Sequence, residues 1–250
     1  MGNVSDRATL IPRAIEWLLP WGQIIRGFRW GKGPDTVLLL HEPGLDLDAW
    51  TTLPVEIARQ LDIETMAVDL PGHGLSDDPW DPARLPDLLR HLPDLAMTAG
   101  RQFLIAAGTP AIAALEQASA IELAALVCLS PAIPEDGQIP PRSPRLPKLF
   151  VAGSLAGNDL HEARWLATTC GGWAVVTSLP VAERGTRLLT SVWGAQLIEQ
   201  IVAFLRDCRH RPAQLHRATL NNGVILRNEG SRLHGTSVRV RRDSSPAGSE

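Results

Sequence analysis

The chain has 250 residues, 44% hydrophobic and 20% charged, enough for one sizeable domain with a full core. Its formal net charge of -3 excludes a general preference for nucleic acid, and no apolar run reaches the roughly 18 residues of a membrane span. Three widely spaced cysteines, Cys128, Cys170 and Cys208, exclude a disulfide framework and fit a reducing, cytoplasmic setting. The N-terminus lacks the ordered basic, apolar and small-residue runs of a signal peptide. Asp6 stands where a myristoylation signal needs Ser or Thr.

In chain order, residues 1–20 read as an N-terminal extension, and Gln23–Trp30 as an antiparallel edge strand. Val37–Leu40 is a continuous buried strand ending at His41, followed by a helix over Trp50–Gln60. Thr65–Asp69 is the next strand, closed by a Pro-Gly-His-Gly turn. Pro82–Ala99 reads as a helix broken near Pro86 and Pro93. Further apolar runs are Phe103–Ala107, Ala125–Leu129, Leu149–Ala152 and Ala174–Thr177. Helices fill Pro110–Ser119, Asp159–Thr169 and Val192–Arg206. Apolar runs without polar alternation, separated by helices, predict a mostly parallel sheet covered on both faces. In such sheets ligands bind beyond the carboxyl ends of the strands.

The domain is expected over residues 21–207, with a basic tail over 208–250. From Arg206 onward there are nine arginines against two Asp and two Glu, with low apolar content and no sustained periodicity. This tail reads as disordered or loosely attached. Nucleic acid is expected to touch the chain only weakly, and only through it.

Four stretches carry a family resemblance. HEPGLDLDAW (41–50) resembles the H-G-x-G loop that follows the third strand of α/β-hydrolases. AVDLPGHGLSD (67–77) is similar to their D-x-P-G-H-G-x-S stretch. RQFLIAAGTPAIAAL (101–115) resembles the strand–nucleophile–helix elbow, whose pattern is G-x-S-x-G. AERGTRLL (182–189) resembles the A-x-H-G-T-x-L-L loop of the catalytic histidine. The agreement runs over about residues 20 to 206. Only Ser130 to Pro147 separate the two strands where a cap domain is usually inserted, so the resemblance is to lidless bacterial members. It implies a single α/β domain without a cap.

The catalytic positions implied by the resemblance are altered. Gly108 stands at the nucleophile position. A register shift to Thr109 would put Pro110, which has no N–H, where the oxyanion donor is needed. Leu115 and Glu116 keep the register of the family's Leu-Glu. Arg184 stands at the base position, and a guanidinium cannot accept a proton. Ala156 stands at the acid position, with Asp159 one loop further on. Pro43 replaces the second oxyanion donor, and Glu42 replaces a glycine beside it. The expectation is a non-catalytic protein that binds a small carboxylate or acyl ligand or acts as a scaffold. Its crevice would be lined by Glu42, Pro43, Gly108, Thr109, Asp159 and Arg184. The simplest arrangement is a Glu42–Arg184 ion pair filling it. The alternative is a hydrolase or lyase of small ester or acyl substrates with a non-standard site.

Other candidates read as structural. His41 and His73 brace turns, Asp69 anchors a loop, and Ser76 and Ser130 cap or bond turns. Glu135 and Asp136 occupy a place where some relatives keep an alternative acid. Trp17, Trp21 and Trp30 cover the sheet edge. No histidine pair at i, i+4, no C-x-x-C and no phosphate-binding glycine loop is present, so neither metal nor nucleotide cofactor is expected.

Overall fold

The computed structural model describes residues 10–96, 100–133, 140–143, 145–210 and 224–228. Nine strands lie in chain order at β1 Arg13–Leu18, β2 Ile24–Trp30, β3 Thr36–Leu40, β4 Glu64–Val68, β5 Gln102–Ala107, β6 Ala125–Leu129, β7 Lys148–Gly153, β8 Ala174–Leu179 and β9 Val224–Asn228. The helices are α1 Leu53–Leu61, α2 Leu85–Ala96, α3 Thr109–Glu116, α4 Asp159–Thr169 and α5 Gly194–His210. The strands form one sheet in the order β1-β2-β4-β3-β5-β6-β7-β8-β9. β1 and β2 are antiparallel, β2 is antiparallel to β4, and every pair from β4 to β9 is parallel.

Strands β3, β5, β6, β7 and β8 are buried along their whole length, apart from half-buried Gln102, because both faces are covered. On one face α2, α3 and α4 set Leu85, Leu88, Leu92, Ile112 and Leu166 over Leu104, Leu126 and Phe150. On the other, Leu53, Ile57 and Leu61 of α1 and Leu197, Ile201 and Leu205 of α5 pack on Val37, Ile105 and Val127. The i, i+4, i+8 spacing of those two sets aligns each on one helical face.

Several boundaries differ from the sequence expectation. The helix expected to break near Pro86 and Pro93 runs unbroken over Leu85–Ala96, with Pro86 in its first turn and Pro93 in its last. Arg13–Leu18, inside the stretch read as an extension, pairs with β2 and takes the sheet edge, so β2 is not the edge strand. Trp17 and Trp21 pack against one core and Trp30 against the other, closing that end of the sheet. The helix expected from Trp50 starts at Leu53, after a short 3-10 turn over Leu47–Trp50. Within the tail, Val224–Asn228 form β9 beside β8, from Ala174↔Val224 to Ser178↔Asn228. The rest of the tail beyond His210, like Glu135 and Asp136, lies outside the described residues. No helix among the described residues is long and apolar enough to cross a membrane.

Candidate functional site

The carboxyl ends of the parallel strands gather the four loops singled out by the sequence. The loop after β3 is held by histidines. His41 is fully buried. Its Nε2 accepts the Leu70 N–H at 3.0 Å, so its Nδ1–H donates to the Glu42 carbonyl at 2.9 Å. Burial holds its pKa below the ordinary imidazole value. His73 repeats the arrangement: Nε2 accepts the Gly44 N–H at 2.9 Å, and Nδ1–H donates to the Pro71 carbonyl at 2.9 Å. Both rings are committed on both nitrogens, which leaves neither free as a base. The N–H of Gly44, the residue after Pro43, is turned toward His73. Asp69 completes the brace by accepting from the Leu47 N–H at 2.7 Å and the Leu75 N–H at 2.8 Å.

The elbow is intact in backbone. β5 ends at Ala107, Gly108 turns the chain at φ 62, ψ -130, and α3 begins at Thr109 with Pro110 in its first turn. A side chain in this conformation is strained, whereas glycine adopts it freely. A Cβ built on Gly108 would meet only Glu42 within 4 Å, and its Cβ at 3.0 Å. Thr109 is exposed beside it, and the following Pro110 has no N–H to offer an oxyanion.

Glu42 crosses from this point to the loop after β8. Its Oε1 accepts from the Thr186 N–H at 3.0 Å and the Thr186 hydroxyl at 3.1 Å. Thr186 is the second residue of the 3-10 helix Gly185–Thr190, so the carboxylate meets the N–H end of that turn. A Cβ on Gly185 would run into this carboxylate. Glu42 Oε2 is buried without a hydrogen-bond partner.

Arg184 does not meet Glu42. In place of the expected Glu42–Arg184 pair, its guanidinium lies 3.2 Å from Asp159 and 3.5 Å from Glu162. Asp159 opens α4 and is fully buried. Its Oδ2 accepts from the Ser130 hydroxyl and the Gly153 N–H, both at 2.8 Å. Burial pushes its carboxyl pKa up, and these two donors and Arg184 oppose that shift. Ala156 is buried beneath and supplies no acid.

The six expected crevice residues therefore divide. Glu42 and Gly108 touch at the centre, flanked in sequence by Pro43 and Thr109. Asp159 and Arg184 form a separate ion pair toward α4. Thr186 and Ser130 were not foreseen as partners. The retained Gly-Thr after Arg184 was the available signal for the first, and the strand-end position of Ser130 for the second. No group of three metal-binding side chains occurs among the described residues.

No family model matches the sequence, and no curated protein matches it significantly. Solved structures do match. An esterase of Pyrococcus furiosus, Pf2001, superposes with a TM-score of 0.63 at 14% identity, covering 80% of this chain and 92% of that one. A structure described as a predicted CIB-like hydrolase of Thermoplasma acidophilum gives 0.62 at 15% identity over 79% and 99%. The serine hydrolase CarC, involved in carbazole degradation, gives 0.60 at 15% over 79% and 99%. The chain has the α/β-hydrolase fold.

Proposed function

We propose that this chain is a non-catalytic α/β-hydrolase-fold protein that works by binding. The observation that carries this reading is the centre of the crevice. Gly108 occupies the elbow with no nucleophile, and Glu42 lies against it with its carboxylate anchored on Thr186. A serine hydrolase needs a nucleophile, a base and a pair of N–H donors around one reacting carbonyl. On this reading Gly108, Arg184 and Pro43 stand in those places, and the Glu42 carboxylate is engaged by Thr186. Losing one oxyanion donor alone costs about 10²–10³ in turnover, and a triad member about 10⁴.

A crevice filled by the chain's own side chain favours a macromolecular scaffold over a small-ligand pocket. Arg184 already faces two carboxylates, so a carboxylate ligand would have to displace Glu162 or Asp159. A second reading rests on the partnerless Glu42 Oε2. On that reading, Glu42 would act as general base for a small ester or acyl substrate once the site opened to admit it.

The test is hydrolysis of short acyl esters by the wild type and Glu42→Gln, with thermal shifts against small carboxylates for the wild type and Arg184→Ala. The scaffold reading expects no turnover above buffer and no shift. Turnover lost in Glu42→Gln would establish the enzyme. A rise in Tm that vanishes in Arg184→Ala would establish the small-carboxylate site.

A further inference from the structure

The described residues include five large apolar side chains that stay exposed, and three of them ring the strand ends. They are Leu75 after β4 at 59% exposure, Leu155 after β7 at 68% and Val192 beyond the 3-10 helix at 92%. The same loops are acidic. Residues 41–52, 69–81, 153–158 and 180–192 carry Asp46, Asp48, Asp77, Asp78, Asp81 and Glu183 besides Glu42 and buried Asp69, against two arginines, Arg184 and Arg187. Arg184 is already paired with Asp159 and Glu162. Asp77 is paired with Arg26 at 2.8 Å, and the remaining acid is in excess. An apolar ring set in net acid is a surface that selects a basic, partly apolar partner.

β9 directs such a segment to this place. Because β9 is parallel to β8, Asn228 lies beside Ser178 at the strand ends, one residue before the loop that leads to Glu183 and Arg184. The 22 residues that follow in the sequence thus start at the rim and not at the opposite end, where α5 finishes with Arg209 on Asp35. Between Arg232 and Arg242 they carry four arginines and no acid, with Val238 and Val240 alternating with Arg239 and Arg241. In extended form this alternation presents apolar groups on one side and cations on the other.

We infer that residues 229–250 dock on the strand-end rim of their own chain, with Arg232–Arg242 lying over the acidic loops and Val238 and Val240 on the apolar ring. The reach suffices. From β9 to β4 is six inter-strand steps, about 29 Å, and residues 229–242 extend to about 46 Å. The inference does not depend on whether the crevice turns over a substrate.

The test is hydrogen exchange read by mass spectrometry on the full chain. It compares wild type with Arg239→Glu/Arg241→Glu/Arg242→Glu and with Val238→Ser/Val240→Ser, at several protein concentrations and in 0.5 M salt (about 4 Å screening length). In the wild type, amides of 43–49 and 72–80 should exchange at least threefold more slowly than in the charge-reversed variant. Salt should remove most of that difference, and the serine variant should give an intermediate value. Amides of β5 and β6 report that each variant is folded. Equal exchange at the rim in wild type and variants would overturn the inference. Protection that grows with protein concentration would overturn it too, by assigning the segment to a second copy.

Discussion

Asp159 offers the sharpest test of the site's division. In a working hydrolase an acid near this position orients a base. Here it accepts two buried donors through one oxygen and faces a half-exposed arginine with the other. Asp159→Ala leaves the Ser130 hydroxyl and the Gly153 N–H without their acceptor. At about 1–3 kcal/mol per buried orphan, less what is recovered by no longer burying a charge, the loss is about 2–4 kcal/mol. Asp159→Asn keeps an oxygen for both donors and gives up only the ion pair and the helix-end charge. Arg184 is 48% exposed, so the pair contributes at most ~1 kcal/mol, and the charge at the start of α4 adds a few tenths. Asn should therefore cost about 1 kcal/mol, and Arg184→Ala less than that. Thermal melts separate these, since 1 kcal/mol moves Tm by about 2–4 °C in a domain of this size. If Asn proved as costly as Ala, or Arg184→Ala matched Asp159→Ala, the ion pair and not the buried donors would hold this corner.

Gly108→Ser should lose about 1–3 kcal/mol, from the positive φ and from the approach of its Cβ to Glu42, and should show no esterase activity. Adding Glu42→Gly should recover about 1 kcal/mol as a non-additive term in a double-mutant cycle followed by urea unfolding. Lys148 is fully buried, its ammonium donating to the carbonyls of Ser143, Leu146 and Gly171 at 2.6, 2.8 and 3.0 Å. Burial lowers its pKa to about 8. Between pH 8 and the ordinary lysine value the unfolded chain binds the extra proton, so the Lys148 contribution to stability rises with pH, by about 3 kcal/mol in all. Buried thiols pushed upward, Cys128 and Cys170, act in the opposite sense. The measurement is therefore the wild-type minus Lys148→Met stability from pH 7.5 to 10.5. A difference that stays flat would refute the burial account.

The strands that were legible in the sequence are those buried on both faces, such as Ala125–Leu129, where an unbroken apolar run has no alternative use. β1 was not, because Arg13–Leu18 is an edge strand with one buried and one half-buried residue, and its pattern is that of an ordinary terminus. Lys148 reads in the sequence as the polar boundary of an apolar run, since its burial depends on the Gly171 carbonyl, 23 residues away, closing over the ammonium beside those of Ser143 and Leu146. That Gly108, Arg184 and Pro43 cannot act as nucleophile, base and N–H donor is readable from the sequence, because each fails on its own chemistry whatever surrounds it. Their pairing was not readable. Whether Arg184 turns to Glu42 or to Asp159 depends on the height of each loop above the sheet, which the α4 N-terminus and the β8 exit set together. The Ser130–Asp159 bond likewise joins loops 29 residues apart.

The contact between Gly108 and Glu42 couples the two positions. Glycine adopts the turn at φ 62 without the strain, of order 1–3 kcal/mol, that a side chain would meet there. A Cβ at 108 would come 3.0 Å from the Cβ of Glu42, whose carboxylate is anchored on Thr186. Substituting Gly108 alone presses on Glu42, and removing Glu42 alone strands the Thr186 donors. The two positions change at least cost together, whereas substitutions on the rim carry no such coupling.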